Sequence, residues 1–163
     1  MNKRNFIRLI LISVLMACTG HNAFEKSLSV ADSLMHEQPD SAYRLLCAME
    51  QDAARMPEAL QMRRLLLLSN AQNKAYKSFT SDSIGTLLTE YYDRNGKANE
   101  RMLAHYIKGC AYRDLGDQPA ALNCFNQAID AADTSLADCD FRQLCIVHAQ
   151  IAGIFRKRGL PDE

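Results

Sequence analysis

Four histidines and six cysteines are the side chains best suited to nucleophilic, acid–base or metal chemistry, so their spacing is the first thing to weigh. His105 and His148 stand 43 residues apart at matching places in two similar stretches. A proton relay on a helix needs a carboxylate three or four residues away, because only those positions share a face. No Asp or Glu lies there for either histidine, so both read as packing residues. His36 falls at a helix end, where a cation complements the dipole, and His21 precedes the first helical stretch. Asp130, Asp133, Asp138 and Asp140 crowd one polar segment, which is ordinary solvated loop chemistry. Cys110 and Cys124 fall at inward steps of two successive helices, open to a bridge in an oxidising compartment or to burial as small hydrophobes. No C-x-x-C occurs, and Cys139 and Cys145 fall on different faces, so no metal site is expected. Nucleophile-elbow, phosphate-loop and zinc-protease motifs are missing as well. The expectation is a protein without enzymatic activity and without a cofactor.

The elements that must position these residues are helical. Glycine (7) and proline (4) are few, and tryptophan is absent. Apolar residues recur at helical spacing in seven stretches. Phe24–Met35 carries Leu28, Ala31, Leu34 and Met35. Asp40 is expected to cap a second helix, Ser41–Ala54, that buries Ala42, Leu45, Leu46 and Met49. Pro57 opens a third helix with Leu65–Leu68, Ala71, Ala75 and Tyr76 on its stripe. Thr80-Ser81-Asp82 caps a fourth, with the stripe Ile84, Leu87, Leu88 and Tyr91, and Asn95-Gly96 stops it. Asn99–Leu115, then Gln118–Ala132 with Pro119 in its first turn, form a hairpin about Gly116-Asp117. A last helix runs from about Asp138 to Arg158.

Within that hairpin the spacing is specific. His105-x-x-Lys108-Gly109-x-x-Tyr112 leads to Gly116-Asp117 and then to Ala121-x-x-x-Phe125-x-x-Ala128. Small residues at Gly109, Ala121 and Ala128 allow close helix approach, and Tyr112 and Phe125 are expected to fill the space between. Laid on this stretch, Ala152 matches Gly109, Phe155 matches Tyr112 and Gly159 matches Gly116. The pattern resembles the tetratricopeptide repeat, a helical pair of about 34 residues. Helices three and four would be a degenerate repeat, and the Pro39-Asp40-Ser41-Ala42 helix a leading half-unit. The resemblance implies an all-α fold of antiparallel helical hairpins, a TPR-like α-solenoid, whose members bind proteins. It also implies a groove lined by Leu103, Tyr106, Cys110, Arg113 and Asp114, followed by Ile146, Ala149, Gly153, Arg156 and Lys157. Such an aromatic and basic surface suits a protein or peptide partner with a carboxylate or acidic side chain.

The N-terminus reads as a targeting segment. Lys3, Arg4 and Arg8 precede a short apolar run, Leu9–Met16, far below the ~18 residues that span a bilayer. It ends in Leu15-Met16-Ala17-Cys18, which resembles the bacterial lipobox. By that resemblance residues 1–17 are a lipoprotein signal peptide, Cys18 is the lipid-attachment residue, and residues 18–23 are a tether ahead of a helical domain over 24–163. Three acyl chains would make the membrane anchor permanent; a plain cleaved signal peptide is the alternative. No acidic cluster follows Cys18, which favours a periplasm-facing position in the cell envelope. Loss of residues 1–17 removes three bases and no acids, leaving 16 Lys and Arg against 19 Asp and Glu. A near-neutral balance offers no footprint for nucleic acid.

At the other end, Pro161 stands where the partner of the last helix should begin, so the final repeat is incomplete. A repeat cannot bury its apolar face alone. The chain therefore reads as a fragment, with self-association expected through Ile146, Ile151, Ile154 and Phe155; a terminal capping helix is the other reading. Two functions follow: a lipid-anchored binding scaffold, or the truncated input domain of a longer signalling or transcription-regulator protein.

Overall fold

A computed structural model of the chain describes residues 22–157, and of Lys157 only the backbone. The signal segment 1–17, Cys18, the tether through His21, and residues 158–163 with Gly159 lie outside the described residues. Among the described residues every regular element is helical, as the periodicity requires. The chain divides into two compact units, one up to Ala71 and one from Gln72 onward.

In the first unit, α1 (residues 22–34) and α2 (Pro39–Ala48) are followed by a 3-10 segment, Met49–Arg55, and by α3 (Glu58–Lys74). Its core gathers Leu28, Ala31 and Met35 with Ala42, Leu46, Met49, Met56, Leu60, Leu67 and Ala71. The apolar steps read from sequence on the first two helices therefore face inward, with Leu34 and Leu45 half-buried at the edge. Two corrections concern the second helix. Asp40 is not its cap: Gln38 holds that position, without a side-chain hydrogen bond, and Asp40 sits in the first turn. The α-helix also stops at Ala48 rather than Ala54, and the chain tightens to a 3-10 winding. Arg64 accompanies that change. It is 3% exposed, donates from Nη1 to the Leu46 carbonyl at 3.1 Å, and pairs through Nη2 with the Glu50 carboxylate. A carbonyl of the last α-turn, which has no partner within its helix, thus finds one on α3.

The second unit holds the last turn of α3 with α4 (Ser83–Asn95), α5 (Ala98–Asp114), α6 (Gln118–Ala131) and α7 (Phe141–Lys157). α5 packs against α4, α6 and α7, and α6 packs against α7. α4 thus packs on α5 within this unit. Its buried stripe is turned by one residue. Gly85, Leu88, Thr89 and Tyr92 face inward, while Ile84 and Leu87 are each 42% exposed and Tyr91 is half-buried. The reason is Gly85: a Cβ there would stand 2.8 Å from the Lys108 Cα, so the two backbones meet at this glycine.

The α5–α6 hairpin follows the sequence closely. Gly109 lies against Phe125, whose ring would stand 2.5 Å from an added Cβ. Ala121, Phe125 and Ala128 are fully buried. The second aromatic in the interface is Tyr106, its ring 6.0 Å from that of Phe125. Tyr112, expected in that place, reaches the other way, and its hydroxyl donates to Asp82 Oδ2 at 2.8 Å. That contact also reassigns Asp82. It holds the N-cap position of α4 as expected, but its carboxylate serves Tyr112, and the Ser83 N–H donates to Ser81 Oγ instead.

Helix ends show how glycine is used. Gly116, at φ +84°, closes α5, with its own N–H on the Arg113 carbonyl (3.2 Å) and that of Asp117 on Tyr112 (2.9 Å). Asp117 then caps α6 by accepting from the Ala120 N–H at 3.0 Å. Gly96 works differently, being extended at φ −90°; a Cβ there would meet the Tyr92 carbonyl oxygen at 2.7 Å. In α7, Val147 and Ile154 are buried and Ile146 and Ile151 half-buried, leaving Phe155 40% exposed. The apolar face expected to lie bare on this helix is thus mostly covered.

Candidate functional site

The groove residues expected on α5 converge on one polar network in the second unit. Arg113 is its centre. Nε and Nη2 donate to Asp114 Oδ1 at 2.9 and 2.8 Å, Nη2 also to Asn73 Oδ1 at 3.1 Å, and Nη1 to Gln150 Oε1 at 2.7 Å and Cys110 Sγ at 3.7 Å. A guanidinium has five N–H groups, and these contacts occupy all of them. Asp114 uses its other oxygen, Oδ2, to accept from the Phe79 N–H at 2.9 Å. Asn73 Nδ2 donates to the Tyr106 hydroxyl at 2.9 Å. Two adjacent residues of α5, Arg113 and Asp114, therefore tie together the last turn of α3, the loop to α4, and α7.

Electrostatics follow from burial. Cys110 is fully buried, and desolvation pushes its thiol up to about 12, against the pull of the Arg113 charge. Burial raises Tyr106 in the same direction. For Arg113 burial opposes the charge, but facing Cys110 and the Asp114 hydrogen bond outweigh it and the proton is held more tightly. The thiol and the phenol are therefore neutral and the guanidinium charged at ordinary pH. A protonated, buried thiol is a poor nucleophile.

The expected groove set is thus divided. Tyr106 and Cys110 are buried, Arg113 and Asp114 are half-buried and committed to the protein, and Leu103 is half-buried. Arg156 is exposed on α7, with Ala149 exposed and Gly153 half-buried nearby along the helix, and the Lys157 side chain lies outside the described residues. Beside the network lie two open cavities. One of about 310 Å³ is bordered by Asn73, Tyr76, Lys77, Ser78, Asp114 and Gln150. The other, about 220 Å³, lies between Gln118 and the Ala149, Gly153 and Ile154 face of α7. An added Cβ at Gly153 meets nothing within 4 Å, which keeps that face open.

Two features escaped the sequence. His105 has no acidic neighbour on its own helix, yet its Nε2 lies 2.9 Å from Asp93 Oδ1 on α4, with Nδ1 buried and unpartnered. No local spacing reports such a partner from another helix. Tyr76, expected on the apolar stripe of α3, stands two residues past the helix's end, 97% exposed, at φ +56°. Cys110 and Cys124 are both buried free thiols, the second of the two readings of that pair.

Comparison of the chain with protein-family models, curated proteins and solved structures finds no match.

Proposed function

We propose that the chain is a non-enzymatic, tetratricopeptide-like scaffold that binds protein at the bacterial envelope, held there by lipid on Cys18 and facing the periplasm. The α5–α6 hairpin carries this reading. Gly109, Ala121 and Ala128 are buried with Phe125 at the positions where the repeat pattern wants small and aromatic residues. Helical pairs of this kind present surface, and their function is recognition. The lipobox residues supply the anchor.

The test joins both halves. A fatty-acid probe should label the wild type and leave Cys18→Ser unlabelled in the soluble fraction. In the same cells, a photo-crosslinking residue at Ala149 or Gly153 should trap a defined protein partner, and Gly109→Leu, which breaks the hairpin, should abolish the adduct. An unlabelled, soluble wild type overturns the anchor. Adducts that survive Gly109→Leu overturn the scaffold.

A further inference from the structure

The face of α7 read from sequence as bare is mostly covered, but a different one is not. Phe141, Cys145, His148, Ala152 and Phe155 recur at alternating steps of four and three, which sets them in one line along the helix. All five are exposed, the two phenylalanines by 54% and 40%. The positions 43 residues earlier on α5 are Ala98, Met102, His105, Gly109 and Tyr112. There the same line is buried as far as Gly109, with His105 on Asp93 of α4 and Gly109 on the Phe125 ring of α6. α7 thus presents to water the line of residues that α5 gives to neighbouring helices. Two large rings bare on one helical line mark a surface for association.

The order of the five residues selects the occupant. Read from either end, the line runs large, small, histidine, small, large. A second copy laid antiparallel about His148 sets Phe141 of each against Phe155 of the other, Cys145 beside Ala152, and the two His148 rings together. One patch then meets itself, as a twofold interface requires. Charge agrees with that direction. Asp138 and Asp140 flank the first turn against a single Arg142, and the last turn ends in Arg156-Lys157. An antiparallel pair brings the acidic end of one helix to the basic end of the other and opposes their dipoles, whereas a parallel pair sets like on like. The 17 residues of α7 span roughly 25 Å. An interface so short belongs to the small, reversible class.

We propose that this line on α7 is the interface with a second copy of the chain, an antiparallel helix pair centred on His148. It stands apart from the envelope reading above, since an unanchored protein would pair in the same way. Sedimentation equilibrium of the purified protein over a concentration series should show monomer and dimer in exchange. His148→Asp sets two carboxylates at the centre and should be monomeric throughout. Because His148 is exposed, its melt should be unchanged at concentrations where the wild type is monomeric. His148→Leu should dimerise at least tenfold more tightly. Oxidation reads the direction. In Ala152→Cys the introduced thiol should link to Cys145 of the other copy, as mapped by peptide mass. Cys145 should not link to its own counterpart, which lies about 9 Å away along the axis, beyond the ~7 Å that a disulfide spans. A wild type that stays monomeric, or a His148→Asp protein that still pairs, overturns the interface and leaves this face to a different protein. A bridge between the two Cys145 thiols overturns the antiparallel direction. A His148→Leu protein that pairs no more tightly than the wild type overturns the placement of His148 at the centre.

Discussion

α3 and α5 end on the same backbone turn, with Tyr76 at φ +56° in one and Gly116 at φ +84° in the other. After α5, the turn serves the fold alone. Glycine enters the left-handed region freely, Asp117 caps the next helix, and the hairpin closes on Phe125. After α3, the same turn carries a ring that touches almost nothing, and a hydrogen-bond network from α5 and α7 holds it in place. One turn is optimised for folding and the other keeps a residue that folding does not favour. The two turns thus share a geometry and differ in what it costs.

The largest expected effect tests the architectural side. Phe125→Ala empties a fully buried site under Gly109 and Tyr106 and should cost ~3–5 kcal/mol in denaturant melts. A loss below ~1 kcal/mol would mean that the hairpin is not the centre of the unit.

The hairpin was legible because its determinants are local. Gly109, Ala121 and Phe125 lie at fixed spacings in one continuous stretch, and the turn between the helices carries its own glycine. The stripe of α4 was misread for a converse reason. Ile84, Leu87 and Tyr91 are the more apolar set, but the face that packs is chosen by Gly85, where the backbones of α4 and α5 approach most closely. Hydropathy counts side chains, and a glycine contact is made by lacking one. Tyr106, Cys110, Arg113 and Asp114 meet in one network, yet the saturation of Arg113 depends on Asn73 and Gln150, 40 and 37 residues away. Tyr76 was hidden because an aromatic after a helix reads as core, and only the backbone angle shows otherwise.

Next in size is the network that holds the Tyr76 turn. Arg113→Met should cost about 1–3 kcal/mol, because Asp114 and Asn73 lose their donors while remaining half-buried. It should also raise hydrogen exchange at the Phe79 amide, which Asp114 accepts. Unchanged exchange there would show that the loop holds itself.

A smaller effect is expected with pH. Burial raises the Cys110 thiol from about 9 in the unfolded chain to about 12 in the folded one, so the folded state holds its proton more tightly. That contribution is complete below pH 9 and is lost as pH rises toward 12. The melting temperature should therefore fall across this window, with a shallower slope in Cys110→Ala. Equal slopes would assign the alkaline loss to Tyr106, which burial shifts the same way.

The smallest effect carries the sharpest test, because its sign is set against its twin. Gly116→Ala places a Cβ at φ +84°, and although nothing lies within 4 Å of it, the backbone conformation alone should cost about 1 kcal/mol. Tyr76→Asn makes the opposite move. Asparagine tolerates the left-handed region better than a bulky aromatic does, and removal of a ring that is 97% exposed forfeits little packing. It should stabilise the protein by about 0.5 kcal/mol, a rise of a degree or two in a calorimetric melt. If both substitutions destabilise, the Tyr76 ring makes contacts that support the fold, and the two turns are alike. If only Gly116→Ala does, the left-handed conformation costs stability at Tyr76 and not at Gly116.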